Sequence, residues 1–443
     1  MDSLINSLYL DFENYLLANI RLDSKLFLGY SGGVDSEILA YLLSKFNQQY
    51  KSVKCCLVHV NHGLHEDADL WEQHCIDRSI VYSLPLEVCK VKIVNKPRCS
   101  LEDLARQARY NAIFNLMDSD SVLLTAHHAD DQLETILLAL KRGSGLQGLA
   151  GISQKSYMKN KMLLRPILHT EKQDLLNIAA ANNLPYVVDP SNLDDSFDRN
   201  FLRNNVLPLL KKRWPFIAKT AFRTARVLDS EKRATNILID EKMSLMHHEN
   251  KLDLNLMESY PLEIKQLFIR RFLQKQNAVM PSEAVLQQII KQSFDSKQDA
   301  KPVIKWHGNE INFYKNCIYF SKIKMFDFNT EIPLGKLQKN VVYDFKFANL
   351  IASSASSGLN PDILNDDLVI RFGLPMSFKC FPSFKSKSCS FKQIAQELDI
   401  PVFKRAKIPL LFSGNNFVSA LGFLVEKHFF VYKNGVYIIF NVY

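Results

Sequence analysis

One stretch near the N-terminus restricts the fold of this chain more than any other. Residues 26–36 read LFLGYSGGVDS, in which an apolar run enters a glycine-rich turn and is followed by the apolar sequence ILAYLL. This order predicts a buried strand, a tight loop and a helix. The two glycines allow the backbone to approach an anion closely, and the helix N-terminus offers N–H groups that lack helical partners. The loop is therefore predicted to bind phosphate.

The loop lacks the lysine of a GxxxxGK[ST] motif, so it is not a Walker A loop. The pattern Ser-Gly-Gly-x-Asp-Ser instead resembles the PP-loop of enzymes that split ATP between its α- and β-phosphates and adenylate a substrate. An ordinary strand-to-helix turn remains the alternative for these six residues alone. The residues predicted to bind the nucleotide are Ser31, Gly32, Gly33, Val34, Asp35 and Ser36.

Residues 1–200 alternate apolar runs with helical patterns, which predicts βαβ units and a parallel sheet. The predicted strands are 25–30, 53–60, 84–91, 121–126 and 162–166. The predicted helices are 34–46, 66–81, 100–118, 130–141 and 170–182. Because ligands bind at the carboxyl ends of such strands, the site is expected where these strands end.

The rest of the chain differs in composition, and its length predicts more than one domain. No glycine occurs between Gly151 and Gly308, which favours a mostly helical segment with a hairpin-like tail at 303–323. The predicted fold is an α/β N-terminal domain with a parallel sheet, then a mostly helical middle domain and a small α+β C-terminal domain. The predicted divisions are a catalytic domain 1–214, a middle domain 215–330, a linker 331–364 and a C-terminal domain 365–443.

A second signal is AHHADDQLET, residues 126–135. Asp131 and Glu134 are three residues apart on a predicted helix, so they share one side of it. Such a pair suits Mg²⁺, the counter-ion of ATP, or an incoming ammonium group. Helix capping plus a surface charge pair is the alternative. Asp35 and Asp131 are the predicted metal ligands.

A third signal is DPSNLDDSFDRNFLRNNVLP, residues 189–208. Arg199 and Arg203 lie four residues apart, and the planar donor fork of arginine suits phosphate. An exposed charge cluster at a helix start is the alternative. Arg109, on the predicted helix 100–118, and His127 join Arg203 as predicted contacts to substrate or phosphate.

The net charge of +9 is unevenly shared. Residues 1–200 hold 20 Lys and Arg against 25 Asp and Glu, a net charge of −5, whereas residues 201–443 hold 35 against 21, a net charge of +14. An acidic half joined to a basic half predicts a polyanionic partner bound by the second half. The basic candidates include the run 211–213 and Lys404 with Arg405.

The cysteine spacing and the first residues of the chain indicate the cellular compartment in which the protein is expected. The eight cysteines form no C-x-x-C pair, so the sequence suggests neither a zinc site nor a redox pair. The first 17 residues carry acidic residues and no early Lys or Arg, which is typical of an amphipathic helix rather than of a signal peptide. No apolar run approaches the length of a membrane span, and we expect a cytoplasmic protein.

Taken together, the motifs resemble those of the tRNA(Ile)-lysidine synthetase family. The matching pieces, in the expected order, are SGGVDS, VNHGL, LEDLARQARY, HHADDQLET, KRGSGLQGLAGI and DPSN…DRNFLRNNVLP, and residues 390–418 resemble that family's C-terminal domain. Two departures are His65, where the family often has arginine, and residues 380–388, where the family often has glycine.

The resemblance implies a reaction. ATP activates C2 of the wobble cytidine in the CAU anticodon of tRNA(Ile), pyrophosphate leaves, and the ε-amine of L-lysine displaces AMP to give lysidine. It implies ATP and Mg²⁺ as cofactors, and tRNA(Ile) and L-lysine as partners; the sequence leaves a homodimer open. The residues expected to act in catalysis are Asp35, Asp131, Glu134 and Arg199.

Three rival functions are weighed. A tRNA cytidine thiolase of the same superfamily is expected to hold an iron–sulfur cluster on paired cysteines, and C-x-x-C is absent. A PP-loop amidating enzyme such as a GMP synthetase needs an ammonia source, and the sequence offers no glutaminase-like nucleophile. A basic RNA-binding module with a degenerate nucleotide fold is disfavoured by the intact SGGVDS and DDQLET motifs.

Overall fold

The structure is a computed structural model, and it describes residues 2–93, 101–294, 303–323, 331–345 and 348–442. It forms two compact units, Met1–Ile237 and Leu238–Tyr443. The division falls inside one long helix, Ile217–Met243, beyond the boundary predicted at residue 214. Each unit has a hydrophobic core of its own.

The first unit is built on one six-stranded sheet. Its strands are β1 (Lys25–Gly29), β2 (Lys54–Asn61), β3 (Leu86–Lys90), β4 (Val122–Leu124), β5 (Lys155–Met158) and β6 (Lys161–Leu164). The strand order is β3-β2-β1-β4-β6-β5, with every neighbouring pair parallel except β5 and β6. The carboxyl ends of β1, β2, β4 and β6 therefore meet at one edge, which is where the candidate site forms.

Helices accompany this sheet. They are α1 (Asp2–Leu17), α2 (Val34–Gln49), α3 (Ala68–Tyr82), α4 (Leu101–Leu116), α5 (Ala129–Lys141), α6 (Leu146–Leu149), α7 (Lys172–Ala181), α8 (Asp198–Phe201), α9 (Leu207–Arg213) and α10 (Ile217–Met243). A short π-helical turn, Leu202–Val206, joins α8 to α9. The predicted strands and helices of residues 1–200 are confirmed to within a few residues.

The central strands owe their position to their apolar composition. Leu26, Phe27 and Leu28 of β1 are each at most 1% exposed, because residues on both faces of a central parallel strand are covered. Two hydrophobic clusters, one containing Leu26 and Leu28 and one containing Phe27, pack against β1. This packing fixes the end of β1, and with it the loop that follows.

The second unit begins with two helices and a five-stranded antiparallel sheet. The helices are α11 (Leu262–Lys275) and α12 (Glu283–Phe294), and the strands are β7 (His247–His248), β8 (Lys251–Asp253), β9 (Val303–Trp306), β10 (Asn309–Tyr314) and β11 (Cys317–Lys322). The hairpin β10–β11 confirms the predicted hairpin-like tail.

The segment 331–364, predicted as a linker, instead contributes strands. They are β12 (Ile332–Gly335), β13 (Val342–Phe345), β14 (Ala348–Ala355) and β15 (Gly358–Leu359). The serines at 353–354 are paired residues of β14, which aligns with the C-terminal strand over eight residue pairs. Leu350 and Ala352 alternate along β14 with half-buried residues and supply a buried face, so this segment packs as a strand despite its serines.

The remaining strands complete two five-stranded sheets and a two-stranded one. They are β16 (Leu368–Arg371), β17 (Lys379–Cys380), β18 (Cys389–Ser390), β19 (Leu410–Ser413), β20 (Asn416–Ala420), β21 (Leu424–Val425), β22 (Phe430–Val431) and β23 (Gly435–Val442). Two short helices, α13 (Phe391–Glu397) and α14 (Val402–Arg405), accompany them. The α+β character predicted for this end is confirmed.

None of the helices in the described parts of the chain has the length and apolar character that crossing a membrane requires. The seven cysteines in those parts are all free thiols.

Candidate active site

The loop between β1 and α2 forms the first part of the site. Ser36 Oγ donates to Gly33 O at 2.9 Å and lies 3.1 Å from Ser31 Oγ, and the Ser31 N–H donates to Ser36 Oγ at 3.3 Å. These bonds between the two serines of SGGVDS close the loop upon itself. Gly33 is the N-cap of α2, so the N–H groups of the first turn of α2 point out of the helix end without helical partners.

Gly32 is required at its position for two reasons. Its φ of +81° lies in the left-handed region, which a side chain disfavours. A Cβ atom there would also lie 3.2 Å from Cys75 Sγ and 3.3 Å from His74 Cδ2. The glycine thus lets α3 pack closely over the loop.

Asp35 of the loop is held by a lysine that the sequence analysis did not single out. Lys172 Nζ lies 2.7 Å from Asp35 Oδ1 and 2.8 Å from Oδ2. Lys172 is the first residue of α7, shortly after β6. A lone lysine belongs to no motif. The one feature of the sequence that could have indicated Lys172 was its position shortly after the carboxyl end of a parallel strand.

The start of α5 brings a histidine and a carboxylate together. The Asp131 N–H donates to His128 Nδ1 at 3.4 Å, and the His128 N–H donates to Asp131 Oδ2 at 3.0 Å, which forms a reciprocal cap. His128 Nε2 also lies 3.6 Å from Asp35 Oδ2 and 3.5 Å from Asp131 Oδ2. Asp131 therefore has the capping role weighed in the sequence analysis, and it also lies beside Asp35.

Two arginines converge on the carboxylates of α5. Arg199 Nε donates to Glu134 Oε2 at 2.7 Å, and Arg203 Nε donates to Glu134 Oε1 at 2.8 Å. Asp131 Oδ1 lies 3.5 Å from Arg199 Nη2 and 3.4 Å from Arg203 Nη2. Glu134 is fully buried, and a charge there is tolerated because two guanidinium groups compensate it.

These pairings keep the site ionised. Burial alone would raise the pKa of Asp131, but its interactions with His128, His127 and Arg199 outweigh burial and hold that pKa below its usual range. Burial likewise acts to lower the pKa values of Arg199 and Arg203, and the two carboxylates raise them above the usual value. Two guanidinium groups and the Asp131 carboxylate therefore stay charged together in one pocket at neutral pH.

His127 lies at the same edge of the sheet and is neutral. Burial, together with Arg165, Arg106 and Arg199, lowers its pKa to about 3, although Asp131 acts in the opposite direction. Its Nδ1 atom lies 3.0 Å from Thr125 Oγ1. His127 can therefore offer one donor and one acceptor at pH 7 without adding charge.

Arg109 belongs to α4, and its side chain reaches the residue that follows β2 rather than the carboxylate cluster. Its Nη2 atom is 3.3 Å from His62 Nε2. Burial and the charge of Arg109 lower the pKa of His62 to about 4. Of the predicted site residues, the structure groups Asp35, Asp131, Glu134, Arg199 and Arg203 directly and places Arg109 with His62.

Two basic residues proposed for tRNA contact are engaged elsewhere. Lys211 Nζ lies 2.5 Å from Oδ1 of the buried Asp130. Arg405 is only 7% exposed, and its Nε donates to Ile400 O at 2.9 Å. Both side chains therefore have structural partners, which charge counting along the sequence does not reveal.

The predicted metal ligands fit an ion that keeps part of its coordination on phosphate. Asp35 and Asp131 each place one oxygen within 3.6 Å of the same His128 nitrogen. Across the described ranges, no three His, Cys, Asp or Glu side chains are grouped so that they could hold a metal ion by themselves. Mg²⁺ commonly takes one or two carboxylates together with substrate phosphates, and this donor set suits that arrangement.

Comparisons with known proteins match most of the chain. Residues 8–210 match the model of the PP-loop domain, residues 252–319 that of the TilS substrate binding domain, and residues 368–438 that of the TilS substrate C-terminal domain. The three matches follow one another in the order of the domains predicted from the sequence. The boundaries given there remain predictions.

Relatives match over nearly their whole length. The tRNA(Ile)-lysidine synthase of Shewanella oneidensis is 34% identical over 430 residues, covering 93% of each chain. That of Buchnera aphidicola subsp. Schizaphis graminum is 36% identical over 415 residues, covering 93% of this chain and 92% of the relative. Among solved structures, a U34-tRNA thiolase from Methanococcus maripaludis is 18% identical, with a TM-score of 0.43 over 52% of this chain and 80% of that one. That score is too low to support an argument.

Proposed function

The chain belongs to the tRNA(Ile)-lysidine synthase family, whose members are ligases that form a carbon–nitrogen bond, and from that premise we propose how its own residues perform the ligation. The reaction joins L-lysine to C2 of the wobble cytidine in the CAU anticodon of tRNA(Ile). The C2 oxygen bonds to the α-phosphorus of ATP, and pyrophosphate leaves. The lysine ε-amine then attacks C2, loses a proton, and the C2–O bond breaks as AMP leaves.

The observation that carries the proposal is the pairing of opposite charges beside the PP-loop. Lys172 pairs with Asp35, and Arg199 and Arg203 pair with Asp131 and Glu134. Each of these cations can attract a triphosphate, and each of these carboxylates can attract an ammonium group or Mg²⁺. Ligands of both signs can therefore replace the internal partners without leaving a buried charge uncompensated.

We assign the roles as follows. Ser31, Gly32, Gly33, Val34 and Ser36 cradle the phosphates with backbone N–H groups and hydroxyls, as a loop at a helix N-terminus can. Arg199 and Arg203 offer planar donor forks to the pyrophosphate as negative charge builds up on it. Arg109 and neutral His127 contribute further phosphate or base contacts.

The carboxylates have two tasks. Mg²⁺, when bound by Asp35 and Asp131, neutralises part of the triphosphate charge. Glu134, with Asp131, attracts the ammonium group of lysine and orients it, and the proton must leave before the nitrogen can attack C2. In this assignment Lys172 positions Asp35 until the nucleotide arrives.

The function is tested by incubating the protein with ATP, radiolabelled lysine and a tRNA(Ile) transcript with a CAU anticodon. We expect label in RNA, dependent on ATP and lost when the anticodon is changed to GAU. A tRNA thiolase would instead transfer sulfur and leave lysine free. Iron and sulfide in the purified protein, with no lysine incorporation, would contradict the proposal.

A further inference from the structure

The segment 380–388 contributes one wall of a cavity in the C-terminal sheets. The cavity has a volume of about 300 Å³ and lies among β15, β21, β22 and β23 and the turn between β20 and β21. Phe384 of the segment lines it, together with Phe423 of the turn and Tyr437 of β23. These three rings are 55%, 43% and 46% exposed, so this is an open aromatic surface rather than core.

The backbone beside two of these rings is held by hydrogen bonds and by a glycine turn. The Ser383 N–H donates to Val425 O at 2.9 Å, and the Lys385 N–H donates to Pro382 O at 2.9 Å, so both neighbours of Phe384 are bonded. Gly422 has a φ of +82°, which turns the chain so that Phe423 follows at the rim. A surface whose backbone is held before binding loses less conformational entropy when it takes a ligand.

The domain that contains the cavity is basic, which favours an anionic partner. Residues 368–438, the range of the C-terminal domain match, hold 10 Lys and Arg against 3 Asp and Glu. Lys385 follows Phe384 directly in the chain, and Lys387 lies three residues after it. Lys385 is paired with Glu397, while Lys387 is exposed. Aromatic rings beside lysines are the combination by which proteins bind unpaired nucleotides, since a base stacks on the ring and the cation contacts the phosphate.

We propose that this aromatic cavity, lined by Phe384, Phe423 and Tyr437, receives one unpaired nucleobase of the tRNA substrate, while Lys387 contacts an adjoining phosphate. The proposal rests on the proposed function, which supplies tRNA as the partner. It gives the C-terminal domain a single-strand contact that is independent of the anticodon.

The first test measures the affinity of the full chain for a tRNA(Ile) transcript. Phe384→Ala and Phe423→Ala are expected to weaken binding about 5- to 150-fold without changing its salt dependence, whereas Phe384→Trp retains it. Lys387→Ala is expected to reduce the slope of log affinity against log salt by about 0.7. Tyr157→Ala, an exposed tyrosine of the first unit, is the matched control and is expected to bind normally.

The second test places 2-aminopurine at each unpaired position of the transcript in turn. We expect the wild-type chain to quench the fluorescence at one position and Phe384→Ala to leave it unquenched. Affinities of both alanine variants within twofold of wild type, or quenching that survives in them, would overturn the proposal. A change of oligomeric state in Phe423→Ala with unchanged tRNA affinity would overturn it too, in favour of a second copy as the occupant.

The two proposals fail separately. If the wild-type chain incorporates lysine into tRNA but the alanine variants bind as well as it does, only the cavity proposal falls. If the wild-type chain incorporates no lysine, the proposed function falls.

Discussion

Lys172 Nζ lies 2.7 Å from Asp35 Oδ1, so the acidic residue of the phosphate loop is paired with a cation from α7, which is 137 residues further along the chain. His128 Nε2 adds a second contact to the same carboxylate at 3.6 Å. The loop aspartate is thus joined to both α7 and α5. This link connects the phosphate loop to the carboxylates that the proposal assigns to lysine.

Asp35→Ala is expected to lower tRNA-dependent pyrophosphate release at least about 100-fold, because it removes the proposed ligand of the phosphate counter-ion and the partner of Lys172. Pyrophosphate release is measured directly, with circular dichroism to monitor folding. Asp23→Ala, which removes an exposed carboxylate just before β1, is the control. Near-normal release by Asp35→Ala in a folded protein would show that Asp35 has no part in adenylation.

Asp131→Asn and Glu134→Gln are each expected to lower lysidine formation strongly, since both carboxylates contact the same two arginines. The step that fails separates their roles. A variant that only loses the lysine ammonium still accumulates AMP-linked tRNA, whereas one that loses the counter-ion releases no pyrophosphate. Asp198→Asn, an exposed carboxylate paired with Lys141, serves as the control. Full activity in both variants would leave the two residues as cap and ion-pair partners alone.

Arg199→Lys is expected to reduce the rate of adenylation at least about tenfold, because lysine keeps the charge but cannot offer a planar fork of donors. The rate of pyrophosphate release at saturating ATP is the measurement. Arg142→Lys, at an exposed position just after α5, controls for the loss of any guanidinium group. Equal rates for lysine and arginine at position 199 would exclude a bidentate role.

His127→Asn is expected to make stability less sensitive to acid. The pKa of His127 is lowered to about 3 in the folded chain, so below pH 6.5 the unfolded chain binds a proton that the folded chain does not. The free energy of unfolding therefore falls as pH falls from 6.5 towards 3, by up to about 1.4 kcal/mol per pH unit for this group. Urea unfolding between pH 4.5 and 7.5 should show a shallower slope in the variant. An unchanged slope would mean that His127 titrates normally.

Binding of tRNA is expected to weaken steeply with salt, while ATP binding changes less. Phosphate contacts release counter-ions, and residues 201–443 carry a net charge of +14. Affinities for a tRNA(Ile) transcript and for ATP are measured between 50 and 200 mM salt, about the range over which such contacts are compared. Equal slopes for the two ligands would contradict a polyanion-binding second half.

The parts of the site that the sequence predicted are the contacts between residues that are close together in the sequence. The bonds between Ser31 and Ser36, and the cap between His128 and Asp131, each span at most five residues. Local turn geometry and helix periodicity determine such contacts, so the motif implies them. Alternating apolar runs likewise predicted the strands of the first sheet.

Contacts between distant segments were decided by the tertiary structure alone. Lys172 meets Asp35 across 137 residues, and Arg203 meets Glu134 across 69. Within residues 331–364, β14 is a strand because it pairs with β23, the last strand of the chain. That partner is too distant in the sequence for any local pattern to indicate it. The amino-acid sequence by itself determined where the strands and helices of the first sheet end and which charged side chains stand at those ends. Only the packing of those ends at one edge of a sheet decided which opposite charges share a pocket, because pairing energy depends on distance in space and not along the chain.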